Sequence, residues 1–80
     1  MLLKDVEVAG RLGMARSTTW ESVRLGTLTV PIRRGAKWSR WPSHEIDRIE
    51  AAIVAGASDD ELRELVRELM EARTAGGVAA

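Results

Sequence analysis

The chain has 80 residues, no cysteine, and 12 basic against 12 acidic side chains. A chain this short forms one domain that buries only roughly 60% of the surface its unfolded form exposes. The missing cysteines exclude a disulfide framework and a thiolate metal site and suit a reducing compartment. No apolar run approaches the roughly 20 residues of a spanning helix and no signal-peptide core follows Met1, so a cytoplasmic location is expected.

The first predicted helix starts at Asp5 as its cap and runs to about Arg11, with Val8, Ala9 and Leu12 inward. Gly13 breaks it. A second helix starts near Ala15 or Arg16 and ends near Gly26, with Thr19, Val23 and Ser22 towards the interior. Ala9 is a small side chain where two helices can touch, and Gly13 suits a turn between them. Val8, Leu12 and Met14 anchor both sides, which is the spacing of a helix-turn-helix. From Thr27 to Trp41 the period changes. Val30 and Ile32 alternate with Pro31 and Arg33, Arg34-Gly35-Ala36-Lys37 supplies turn chemistry, and Trp38 to Trp41 returns, which predicts a two-stranded hairpin. Pro31 cannot donate to a ladder, so its strand is expected at an edge. Trp38 and Trp41 are an odd number apart and should face opposite sides, one to the helices and one outward.

A third helix opens at Pro42-Ser43-His44-Glu45, with Ser43 as cap and Ile46, Ile49 and Ile53 on one stripe, and ends at Gly56. Ser58-Asp59-Asp60-Glu61 is a capping box. The helix after it carries Leu62, Leu65, Val66, Leu69 and Met70 on one face. That stripe either folds back over the core or forms a self-association surface. The second is preferred here, because small DNA-binding modules commonly gain affinity by pairing as homodimers or assembling head to tail. Residues 74–80 read as a disordered tail.

Charge is distributed unevenly along the chain. Residues 1–41 carry eight cations against three acids, net +5, and residues 42–80 carry four against nine, net −5. The basic half can meet a polyanion while the acidic half faces away. At the start of the second helix, Arg16, Ser17 and Thr18 can reach phosphate or base edges, with Arg16 able to fork onto guanine. Glu21 and Arg24 lie further along the same helix, free to contact DNA or to pair with each other. Arg33, Arg34, Lys37 and Arg40 cluster about the hairpin turn with no nearby acid in sequence, against the alternative of a merely solvated tip. Trp20 and Trp41 are read as packing residues. His44, the only histidine, has no partner at a spacing suited to metal binding or nucleophilic catalysis. An enzyme, a cofactor, a metal site and a small-molecule substrate are therefore not expected.

The order of these elements resembles the AlpA family of phage and prophage regulators, within the wider excisionase and MerR-like winged-helix group. The resemblance spans about residues 3–55. It rests on Arg16-Ser17-Thr18, Gly26, Val30-Pro31-Ile32-Arg33 leading to Gly35, Trp41, and the Pro42-Ser43-x-Glu45-Ile46 start of the third helix. The segment Ser58 to Arg73 is similar to the tail of several such regulators. Thr19, Ser22 and Ser39 depart from the larger apolar residues usual in the family, and Trp20 stands where tyrosine is common.

The resemblance implies a mainly α fold with a small β-hairpin. This would be a winged helix-turn-helix DNA-binding domain over residues 3–55, followed by an amphipathic helix over 58–73. It also implies sequence-specific binding of double-stranded DNA, as a transcriptional regulator or recombination directionality factor of a prophage or other mobile element. The alternative is a protein-interaction module whose basic half binds an acidic protein partner without DNA.

Overall fold

Three helices end on the same pair of backbone bonds, each closed by a glycine the sequence had marked. After the first, Met14 N–H donates to the Ala9 carbonyl at 3.0 Å and Gly13 N–H to Gly10 at 3.4 Å. Thr27 and Gly26 repeat this after the second helix, and Ala57 and Gly56 after the third. This is the Schellman arrangement, which needs a left-handed residue, and Gly13 (φ 69°) and Gly26 (φ 84°) supply it without a Cβ clash. The structure, a computed structural model, describes residues 1–75. In chain order these form β1 (Leu2–Leu3), α1 (Asp5–Leu12), α2 (Arg16–Leu25), β2 (Ile32–Arg33), β3 (Ser39–Pro42), α3 (Ser43–Val54) and α4 (Asp59–Ala75).

The expected hairpin is part of a three-stranded antiparallel sheet ordered β1-β3-β2. Leu2 pairs with Pro42 and Leu3 with Trp41 on one side of β3, while Ile32 pairs with Arg40 and Arg33 with Ser39 on the other. β1 is two residues long, too short to show an alternating pattern. β2 lies at the edge, as expected, and starts just after Pro31, whose missing N–H costs the ladder nothing there. The two hairpin tryptophans do face opposite ways. Trp41 is fully buried and donates its Nε1 to the Thr29 carbonyl at 2.7 Å. Trp38, on the other face, lies under the Arg40 guanidinium, 4.9 Å from the ring centroid.

Two of the expected caps are displaced by one residue. Lys4 precedes α1 and Asp5 is its first residue, with the Glu7 carboxylate accepting from Lys4 N–H at 2.7 Å. Pro42 precedes α3 and Ser43 lies inside it. In both cases a residue with extended backbone takes the cap position, and at α1 this leaves the Asp5 carboxylate to accept from Arg16 and Trp20. The Ser58 and Glu61 capping box forms as read, with bonds of 3.1 and 2.7 Å. On α3, Ile46 and Ile49 are buried but Ile53 is 44% exposed, and Ala52 meets the core in its place. Thr74 and Ala75 continue α4 rather than starting a tail, and residues 76–80 of that expected tail lie outside the described residues.

α4 corrects the largest expectation. Leu62, Val66 and Leu69 are buried in one cluster with Leu3, Val8, Leu28, Trp41, Ile46 and Ile49, and Leu65 and Met70 pack against it partly buried. The stripe read as a self-association surface is consumed by the chain's own core, because the sheet and α3 alone leave Trp41, Ile46 and Ile49 short of cover in so small a domain. Two arginines fasten the helix. Arg63 donates its Nε to the Leu25 carbonyl at the end of α2 at 3.0 Å, placing a cation where the helix dipole is negative. Arg73 forks onto the buried Glu45 carboxylate through Nε at 2.7 Å and Nη2 at 2.6 Å.

Candidate nucleic-acid interface

Six of the twelve cations sit against a carboxylate. Arg11 bridges to Asp47 and Glu50, Arg16 to Asp5, Arg24 to Glu21, Arg63 to Asp60, Arg67 to Glu64 and Glu71, and Arg73 to Glu45. Among the described residues the other six, Lys4, Arg33, Arg34, Lys37, Arg40 and Arg48, have no such partner. Four of these six belong to the hairpin. The uneven charge of the sequence thus becomes, in three dimensions, a surface whose cations are not internally neutralised.

Three of them, Lys4, Lys37 and Arg40, meet the start of α2 at a cleft of about 220 Å³. Lys4 and Asp5 line it from the beginning of α1, Arg16 and Trp20 from the first turns of α2, and Ala36, Lys37, Ser39 and Arg40 from the hairpin. The small Ala36 and Ser39 leave room between the two arms. Trp20 forms the floor. Its ring lies 5.1 Å from that of Trp41 at a tilt of 56°, and the Arg33 guanidinium sits 5.6 Å above it. Two of the hairpin arginines therefore rest on indole faces rather than on acids, which orients them without cancelling their charge.

The first turn of α2 differs from those of the other helices. α1, α3 and α4 each carry at least one acid there, whereas α2 carries none and begins with Arg16. Ala15 offers no side-chain cap, and Ser17 and Thr18 are exposed. An uncapped helix start free of acids presents unsatisfied N–H donors to an anion.

Of the residues singled out in the sequence, Arg16, Lys37 and Arg40 share the cleft, Ser17 and Thr18 stand beside Arg16, and Arg33 and Arg34 extend the basic surface along the hairpin. Glu21 and Arg24 do not join them. Arg24 donates its Nε to Glu21 at 3.1 Å, a pair that largely neutralises itself in solvent. Lys4, Asp5 and Trp20 are cleft residues that sequence reasoning missed as such. The open signal was an acid at the start of one helix and an arginine at the start of the next.

Asp5 is the electrostatic pivot. The Arg16 guanidinium, with lesser help from the Trp20 indole and the Val6 N–H, holds its carboxyl below the ordinary aspartate value. A depressed folded-state value means that this link contributes its full stability above the unfolded value, about pH 4, and loses it as the pH falls through the lower folded value. Trp20 donates its Nε1 to the same carboxylate at 3.0 Å. Acid titration at moderate salt is therefore expected to change the tryptophan emission of the wild type only below about pH 4, and Asp5→Asn is expected to remove that step. A wild-type step at neutral pH would contradict this assignment. Comparison with known proteins returned no matching family model, no matching curated protein and no matching solved structure.

Proposed function

We propose that the chain binds double-stranded DNA as a small winged helix-turn-helix protein, with the start of α2 in the major groove and the β2–β3 hairpin on adjacent phosphates. One observation carries the reading: Lys4, Lys37 and Arg40, all without acid partners, share a single cleft with the Asp5–Arg16 pair at the uncapped start of α2, whose own first turn holds no acid. Unneutralised cations this close together repel, and a polyanion relieves the repulsion. The AlpA-like order of motifs extends the proposal to a transcriptional regulator or recombination directionality factor of a mobile element. The acidic outer surface of α4 would face away from the duplex.

The test is binding of a labelled random-sequence duplex, followed by anisotropy across a salt series, with polyglutamate as the competing polyanion. Arg34→Ala with Lys37→Ala is expected to weaken all duplexes alike. It should also make the log–log salt slope shallower by about two counterions, near 0.9 each. An unchanged slope would remove the hairpin from the interface. Preference for polyglutamate over duplex would replace the DNA reading with an acidic protein partner.

A further inference from the structure

This inference rests on the DNA-binding reading above. Arg16 opens α2 with its side chain 67% exposed, while that of its partner Asp5 is only 19% exposed. Three donors fix the Asp5 carboxylate. Val6 N–H reaches Oδ1 at 2.8 Å, and the Trp20 indole and Arg16 Nε reach Oδ2 at 3.0 and 2.6 Å. The arginine is thus bonded through Nε alone. Among the described residues its two terminal nitrogens have no acceptor, and they form the flat fork that matches O6 and N7 of guanine.

We infer that Asp5 is a specificity-determining positioning residue, a buttress that holds Arg16 by its Nε so that the free end of the guanidinium reads a guanine. Two physical effects support the role. A tethered arginine has already lost much of the rotamer freedom it would otherwise lose on binding, so its bidentate contact costs less. The Asp5 charge also repels phosphate, which carries a full negative charge, more than it repels the neutral acceptor edge of a base. Arg16 is thereby biased from backbone contact towards base contact. Since the arginine is the exposed member of the pair and the aspartate the shielded one, the pair presents Arg16 rather than hiding it.

The experiment is selection of the wild-type protein on a pool of short duplexes with a randomised centre, repeated with Arg16→Ala. Anisotropy then follows on the enriched duplex and on its guanine-to-adenine variant. Wild type is expected to enrich a guanine that Arg16→Ala no longer selects. Asp5→Ala is expected to lower the guanine-over-adenine preference at that position about tenfold. Asp5→Asn, which keeps an oxygen for Nε, should recover part of the preference, and Trp20→Phe, which removes one donor to Asp5 while keeping a ring, should lose a smaller part. Circular dichroism melting checks each variant, and Asp5→Asn with Trp20→Phe decides the matter if Asp5→Ala does not fold.

Tighter binding of Asp5→Ala to every duplex, with the guanine preference intact, would make Asp5 a mask over Arg16 and overturn the inference. Duplex binding by the wild type without any Arg16-dependent guanine would overturn it too, while leaving the DNA reading standing. No duplex binding at all would overturn the DNA reading itself, and the inference with it.

Discussion

Alanine in place of Arg73 is expected to lower stability by about 3–5 kcal/mol, the largest effect of any single charged residue in the domain. Glu45 is fully buried, shares a hollow with Ile32, Pro42, Leu69 and Ala72, and its two oxygens each accept from the Arg73 fork. Removing the arginine leaves an ionisable carboxyl in apolar surroundings with neither its counter-charge nor its donors, a far larger penalty than losing a solvent-exposed pair. Because a domain of this kind has only about 5–15 kcal/mol in total, urea denaturation should show a midpoint reduced by about a fifth or more. Replacing both partners with apolar residues, Glu45→Leu with Arg73→Met, is expected to recover most of the loss, since neither charge then has to be desolvated. A single Arg73→Ala variant within 1 kcal/mol of wild type, roughly the worth of a surface pair, would show that the clamp is not what holds α4 to α3.

Leu69→Asp should be at least as damaging. Leu69 is 6% exposed and belongs to the central cluster. The change removes about 1.5–3 kcal/mol of apolar burial and adds the cost of placing a second carboxyl beside Glu45, which already holds the Arg73 fork. The milder Leu69→Ala is expected to cost about 2–5 kcal/mol, and at about 4–8 °C per kcal/mol for a domain of this size its melting temperature falls well outside experimental scatter. Because the stripe packs within one chain, the wild-type melting temperature should not depend on protein concentration. A melting temperature that rises with concentration, together with a Leu69→Asp variant that stays folded but sediments more slowly than wild type, would restore the stripe as a contact between copies.

The cleft makes sense of why the hairpin cations were legible in the sequence while their companions were not. Arg33, Arg34, Lys37 and Arg40 fall within eight residues of one another, and a turn keeps such neighbours together whatever the rest of the chain does. Arg16 was visible because the start of a helix exposes its side chain. Asp5, 11 positions away, looked like an ordinary helix cap, and Trp20 looked like packing alone. Each is partly that. What adds the further role is the packing of α1 on α2, which turns the Asp5 carboxylate towards the first turn of the next helix.

The same division runs through the whole chain. Sequence by itself determined the helix ends at Gly13, Gly26 and Gly56, the capping box at Ser58 and Glu61, the opposed faces of Trp38 and Trp41, and the edge strand beside Pro31. These follow from backbone sterics, hydrogen bonds and side-chain periods that act over about four residues. Only the tertiary structure decided that Leu2–Leu3 joins the sheet, that the α4 stripe is buried at home, that Ala52 rather than Ile53 faces the core, and that Glu45 finds Arg73 across 28 positions. In each case the outcome depends on which surfaces the folded chain brings into contact, because an apolar stripe or a lone charge specifies the chemistry of its partner but not where in the chain that partner lies.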